Sequence, residues 1–464
     1  MMALFDCISE AIQNPTFPWK KVIIGISISQ FVFESYLSYR QYKVLSKKQL
    51  PPVLEGEIDK ETFEKSEEYS KAKIRFSIVS DSISLIQNVA FIKYDILPKL
   101  WNFGQCISKA VLPVKYQAVS IMAQSLMFLF TLSNLSTILS LPISYYSHFV
   151  LEEKFGFNKL TVKLWIMDMI KGNVLGYVIG GPILYLFLKI FDLFETNFLW
   201  YICLFFLVVQ VLAMVLVPVF IMPLFNKFTP LEDGELKVSI ENLAKDCGFP
   251  LDKVFVVDGS KRSSHSNAYF TGLPFTSKRI VLFDTLVNQS SIKEITAVLA
   301  HEIGHWKMNH VLNLLVISQA HILLIMKLFT SVFRNESFYN AFGFMLKNKE
   351  EIISSSLLNN NAIVFTQGFP ILIGFLLFND LLTPLECVVQ FLMSLLQRKQ
   401  EYQADGFAEK RGLSTDLSHA LINLQIKNLS TMSVDKLYSS YHYSHPTLAE
   451  RLSALNYVSE KKKE

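Results

Sequence analysis

Six stretches of the chain hold the run of about 20 mainly apolar residues that a helix needs to cross a hydrocarbon core. They are 22–39, 118–141, 172–190, 198–219, 311–332 and 362–382. A seventh, 76–97, is less apolar because it carries Asp81, Lys93 and Asp95. Three of the seven have polar residues at intervals of three and four. These are Ser27, Gln30, Glu34 and Ser38 in the first; Ser77, Asp81, Ser84, Asn88 and Asp95 in the second; and Ser120, Gln124, Thr131 and Asn134 in the third. Such stripes line a water-filled chamber or knit a dry bundle together by interhelical hydrogen bonds, and the pattern alone leaves both open. The first stretch runs into Glu34 and Arg40 with no small-residue cleavage site, so it is read as a span and not as a signal peptide.

Between the fifth and sixth apolar stretches lies the one sizeable polar insertion, 226–310. It predicts a mixed α/β unit. A helix over 230–247 has Glu232, Asp233 and Glu235 early in it, and two β-rich runs, 253–257 and 279–283, are separated by a Ser/Gly-rich connection. A helix over 290–310 follows, with Ser at its start and Ile295, Val298, Leu299 and Ile303 along it. Of the two strands, 279–283 is the one expected to pair edge-on with an extended peptide.

Composition agrees with a polytopic membrane protein: 51% of residues are hydrophobic, 38 are Phe and only 18% are charged. A net charge of +4 provides no field for recruiting nucleic acid. The five Cys, at 7, 106, 203, 247 and 387, are scattered and odd in number, which supports neither a disulfide framework nor a thiolate metal knuckle. Seven spans put the two ends of the chain on opposite sides. Lysines in 40–75, Lys154, Lys159, Lys163 and Lys171, the insertion and the basic tail then share one side, the cytosolic one by the positive-inside rule. Lys20, Lys21, Lys99, Lys109 and Lys115 run against this assignment.

The chemistry is concentrated in His301-Glu302-Ile303-Gly304-His305. Two His four apart on a helix project from one face and reach one Zn²⁺, while the Glu between them takes a proton from the attacking water. Gly304 in mid-helix costs roughly 1 kcal/mol against Ala, so a close packing partner is expected there. A catalytic zinc needs a third protein ligand, for which His265, His310, Glu401, His442 and His445 are candidates. Glu401 is favoured: it shares a helix face with Asp405, which would hydrogen-bond the far nitrogen of a ligand His. Without the two His, a solvated acidic face would be the better reading of that pair. His310, nine residues after His301 on the same expected helix, would point about 180° away. On their own, Asn267 reads as a turn residue and His445, beside Pro446, as a helix start.

Taken together, His301–His305, Glu401–Asp405, the segment Lys261–Phe270 and His442-Tyr443-Ser444-His445-Pro446 resemble the integral-membrane CaaX prenyl protease of type I, the zinc metalloprotease family that processes a-factor pheromone precursor and prelamin A. The resemblance covers essentially the whole chain, including Glu34, Glu152-Glu153-Lys154 and Phe225–Pro230. It implies that His301, His305 and Glu401 bind one zinc with Glu302 as base. It also implies that Asn267 and His445 sit near the scissile peptide, stabilising its carbonyl and oxyanion, and that Arg451 lies close by. The animal members carry a longer loop before the metal helix, whereas 288–293 is compact here.

The expected fold is therefore an all-α polytopic membrane protein, seven helices forming an α-barrel around a chamber, with a small zincin-like α/β insert. The chain divides into helices over 1–225, the insert at 226–310, two further helices over 311–383 and a C-terminal helical region at 384–464. The expected activity removes the last three residues of farnesylated or geranylgeranylated C-a-a-X proteins, and the resemblance adds a second, upstream cut in a pheromone-type precursor. Lys461 and Lys462 resemble a dilysine retrieval signal, which places the protein in the endoplasmic reticulum membrane, with the inner nuclear membrane as a further location. Two rivals remain at this stage: a membrane protease without prenyl preference, and a channel or transporter.

Overall fold

The computed structural model describes residues 14–111, 121–194, 197–273, 276–346, 363–365 and 370–459. Cys7, Ser120 and the 461–464 signal lie outside them. The membrane part begins with α1 (Trp19–Ser46) and α2 (Lys60–Lys93), followed by the shorter α3 (Ile96–Val111) and by α4 (Ile121–Tyr146). Next come α5 (Val162–Leu193) and α6 (Phe198–Leu216). Apolar composition, not local propensity, drives these elements. Pro142 and Pro182 sit inside α4 and α5 without ending them, as membrane helices allow.

The insert starts with strand β1 (Phe228–Pro230), helix α7 (Glu235–Cys247) and strand β2 (Leu251–Val257). Strands β3 (Ala268–Thr271) and β4 (Lys278–Phe283) lead to α8 (Ile292–Lys307). After it come α9 (His310–Phe329), α10 (Ile371–Glu409), α11 (Ser414–Lys427), α12 (Lys436–His442) and α13 (Leu448–Ala454).

Six of these helices, α1, α4, α5, α6, α9 and α10, are long and apolar enough to cross a membrane. The 76–97 stretch lies mostly in α2, which packs along α1 and is not among the six. Neighbour contacts run α1–α2–α3–α4–α5–α6–α9–α10 and return to α1, so the helices close a ring. Between α1, α2 and α10 is a cavity of about 460 Å³ lined by Ser27, Gln30, Glu34, Asp81, Ser84 and Asn88 among others. The first two polar stripes thus face a common interior. In the third, Gln124 pairs with Gln105 at 3.1 Å, while Thr131 and Asn134 bond back to their own helix.

The last span differs from the expected 362–382. Residues 363–365 form a short strand parallel to Phe344–Leu346, and the helix starts only at Ile371, after Pro370. It then passes through Pro384 without interruption, so the 383/384 division falls inside one rigid element. At 1.5 Å per residue the 39-residue helix is about 58 Å long, nearly twice the hydrocarbon thickness. Its far end therefore leaves the membrane and delivers Glu401 and Asp405 to the insert.

The sheet order is β1-β2-β4-β3, with β2 and β4 parallel and the outer pairs antiparallel. This corrects the expected substrate edge. Strand β4 is paired on both sides; the edges are β1 and β3, and β3 is the one beside α8. Apolar residues at a spacing of four on α8, Ile295, Leu299 and Ile303, pack with Ile240 and Leu243 of α7 and Ile280 and Leu282 of β4 in one buried core.

Candidate metal centre

Helix α8 begins at a capping box. The Ser291 hydroxyl accepts from the Glu294 amide and the Glu294 carboxylate accepts from the Ser291 amide, satisfying two orphan donors. With the 295/299/303 stripe fixed in the insert core, the opposite face of α8 is turned towards α10. The two helices cross at Gly304, where an added Cβ would lie 3.2 Å from Ala404 Cα and 3.1 Å from Phe407 Cβ. The mid-helix glycine is explained by that approach, which brings the His301/His305 face against Glu401.

Nε2 of His301 and Nε2 of His305 are 3.1 Å apart, and the Glu401 carboxylate oxygens lie 3.4 Å from the first and 3.2 Å from the second. One donor atom from each residue lies within 4.8 Å of the others. A tetrahedral ion with ligand bonds of about 2.0–2.1 Å has ligand–ligand edges of roughly 3.3–3.4 Å, which the three separations match. His301 directs its Nδ1 at Asp405 Oδ1, 2.8 Å away, which leaves the lone pair on Nε2 for the centre. Glu401 Oε2 is buried and accepts no hydrogen bond from a described donor. Converging lone pairs of this kind repel one another unless a cation sits among them, so the donor set fits a zinc-type ion. Asp405 is held in turn by Arg451, whose Nη2 and Nε donate to it at 2.6 and 2.9 Å.

The remaining sequence candidates separate cleanly. His445 joins the cluster, its Nε2 3.4 Å from Glu401 Oε1. His265 stacks on Phe157 and bonds Ser263, and His442 faces Glu34 at 3.3 Å, so neither reaches the triad. Asn267 is exposed just before β3, with its side-chain oxygen accepting from the Ala268 amide. His310 requires a correction. Helix α8 ends at Lys307, and Asn309 adopts φ +56° before α9 begins. This break swings His310 back so that its Nδ1 lies 2.8 Å from Nδ1 of His305, while its Nε2 meets Gln403 Oε1 at 3.0 Å. Sequence reasoning missed this His305–His310–Gln403 chain; Asn309, a residue that tolerates the left-handed region, was the available signal.

Glu302 opens onto a cavity of about 640 Å³ together with His305, His310, Glu401 and His445. One wall is the free edge at Tyr269–Thr271. Another is apolar and comes from the ends of membrane helices: Ala213 and Met214 in the last turn of α6, Val217 and Pro218 just after it, and Val311 and Leu314 on α9. Burial pushes the Glu302 carboxyl above its ordinary range, partly opposed by the two neighbouring imidazoles. A carboxylate of raised basicity beside a metal centre is suited to accept a proton from water.

An H-E-x-x-H helix serves many unrelated folds, but here the third donor arrives on the projecting end of a membrane-crossing helix. That arrangement defines a metalloprotease built into a membrane. Two family models match the chain, "CAAX prenyl protease N-terminal, five membrane helices" over residues 41–227 and "Peptidase family M48" over 230–459. CAAX prenyl protease 1 of Saccharomyces cerevisiae is 66% identical over 460 residues, covering 99% of this chain and 100% of that protein. The Arabidopsis thaliana homolog is 41% identical (95% and 98% covered), and the Homo sapiens homolog 36% identical (94% and 96% covered). The crystal structure of S. mikatae Ste24p matches with a TM-score of 0.90 at 66% identity, over 95% of this chain and 100% of that one. The chain belongs to the CAAX prenyl protease 1 family of M48 metalloendopeptidases.

Proposed function

We propose that the protein hydrolyses the peptide bond following a prenylated cysteine and releases the last three residues of a C-a-a-X tail. The single observation that carries this reading is the composition of the 640 Å³ cavity: two of the three metal donors, His305 and Glu401, with the carboxylate base Glu302, share it with an apolar wall built from membrane-helix ends. A substrate bearing both a peptide and a lipid would use both.

In this reading His301, His305 and Glu401 hold one Zn²⁺, which when bound acts as a Lewis acid on the scissile carbonyl. Glu302 takes the proton of the attacking water and passes it to the leaving amine. The β3 edge holds the substrate as an added strand, with Asn267 at its start. His445 stabilises the developing oxyanion. Asp405 fixes the His301 tautomer, and Arg451 is a positioning residue that acts through Asp405. The helices over 1–225 and 311–383 provide the chamber, the 226–310 insert the metal helix and the 384–464 region the third ligand. The upstream cut in a pheromone-type precursor, residence in the endoplasmic reticulum and inner nuclear membranes, and a cytosol-facing site complete the proposal.

The test is tripeptide release from a farnesylated C-a-a-X peptide by the purified protein, with and without a chelator, beside the unprenylated peptide. Release that needs metal and favours the prenylated form supports the reading. Equal cleavage of both peptides would favour a protease without prenyl preference.

A further inference from the structure

Beyond His445, on the side away from the apolar cavity, lies a second cavity of about 350 Å³ whose wall is largely polar. Ser444 and His445 line both cavities, so the two are neighbours across a single turn of chain. Lys73 of α2 lines the polar cavity together with Ser430, Thr431 and Thr447. The Lys73 ammonium sits 4.1 Å from the centroid of the Tyr69 ring. Among the described residues it makes no ion pair and donates no hydrogen bond. The nearest acidic group, Glu152, instead accepts the Tyr69 hydroxyl at 2.8 and 3.0 Å. Burial holds the Lys73 ammonium below its ordinary range, with Glu152 opposing the shift only in part. A half-buried cation lacking a counter-ion is costly to keep in a fold, and an incoming anion relieves that cost.

We propose that Lys73 binds the free α-carboxylate at the C-terminus of the substrate, a role that rests on the C-a-a-X reading above. That reaction supplies an anion at a fixed reach, three residues beyond the scissile carbonyl. Three extended residues span about 10 Å, and a 350 Å³ space taken as a sphere is roughly 9 Å across, so a tail entering past His445 ends near the far wall. Lys73 then measures the length of the departing segment: a carboxylate arriving one residue early or late misses it. The apolar side chains of the tail would turn back towards the first cavity, and the carboxylate alone would need the polar one.

The experiment uses the purified full-length protein with two farnesylated peptides, one ending in the free acid and one in the carboxamide. A charge-assisted contact makes the acid the better wild-type substrate in kcat/KM by on the order of tenfold to a hundredfold. In Lys73→Gln the acid falls to the level of the amide while cleavage of the amide is unchanged, and Lys73→Arg restores part of the preference. The amide thus serves as an internal control for folding. A wild-type protein indifferent to acid and amide overturns the assignment, as does a variant that loses both activities in parallel. Wild-type failure to cleave either peptide would instead sink the C-a-a-X reading, and this inference with it.

Discussion

Replacing Asp405 by Asn separates two tasks that one buried carboxylate performs. Asp405 is 1% exposed and accepts from His301 Nδ1 at 2.8 Å and from two nitrogens of Arg451 at 2.6 and 2.9 Å. An Asn amide keeps the shape and one acceptor, so His301 retains a partner, but the negative charge is gone. Losing the carboxylate that raises the basicity of a ligand imidazole costs about 10–100-fold in metal affinity, or roughly 1.4–2.7 kcal/mol. The Arg451 side chain, only 11% exposed, is left without its charge partner at that depth, a change that costs about 3–5 kcal/mol of fold stability. Glu401 Oε2, 3.9 Å from Arg451 Nη1, is too distant to replace it fully.

Zinc retention against increasing chelator reads the first effect, and the thermal midpoint in detergent reads the second. In Asp405→Asn zinc should be lost at 10–100-fold lower free chelator, together with a fall in the midpoint. The double variant Asp405→Asn/Arg451→Met should recover much of the midpoint while leaving the zinc affinity low, because the stranded cation is gone and the imidazole partner is still weak. If Asp405→Asn keeps wild-type zinc affinity, or if removing Arg451 restores it, the division of labour argued here is wrong.

Three further predictions follow from other parts of the molecule. Glu302→Gln removes the proton acceptor but touches no metal donor, so turnover should collapse by several orders of magnitude while zinc stays near one per chain; activity close to wild type would remove Glu302 from the mechanism. Glu67 is buried at the junction of α2 with the 430–433 segment, and burial pushes its carboxyl up to about 7, with Lys71 and Ser433 opposing. Since the folded state binds this proton more tightly than the unfolded chain does, the group favours folding at low pH, and that contribution is lost as pH rises from about 4.5 to 7. Glu67→Gln should therefore stabilise the fold at pH 8 by at most about 3 kcal/mol, read as a raised thermal midpoint, and leave the midpoint nearly unchanged at pH 5; the opposite pH dependence would contradict the burial argument. In a background without native Cys, Ser84→Cys should react with a water-soluble thiol reagent much faster than Ile86→Cys, because Ser84 lines the interior cavity and Ile86, 68% exposed, faces outward. Equal protection at both positions would mean that the chamber holds no accessible water.

Local chemistry made part of this legible in advance. The Ser at the helix start, the 295/299/303 stripe and the His301/His305 spacing all lie within a few turns of one helix, where side-chain direction follows from the 3.6-residue period. Gly304 was readable for the same reason, since an unfavourable residue in mid-helix implies a close neighbour. The pairing of Glu401 with Asp405 likewise needed only i, i+4 geometry. What failed depended on distant parts of the chain. That β3 lies at an edge and β4 does not is fixed by which strands meet, and strand periodicity does not encode sheet order. His310 was misplaced because Asn309, in the left-handed region, breaks the expected 290–310 helix after Lys307 and so changes the direction in which His310 points. The start of the last span was placed early because 363–365 is as apolar as the helix that follows. Lys73 carried no signal at all, lying among other lysines in a basic connection; only the folded chain sets it apart from them.

Zinc content of the wild type and of Glu401→Ala, each purified without added metal, decides whether Glu401 completes the metal centre. One zinc per wild-type chain is expected, and its loss in Glu401→Ala, with the thermal midpoint of the variant matching that of chelator-treated wild type. One zinc per chain in Glu401→Ala would contradict it, because the third donor would then come from elsewhere and the long α10 would not be what completes the metal centre.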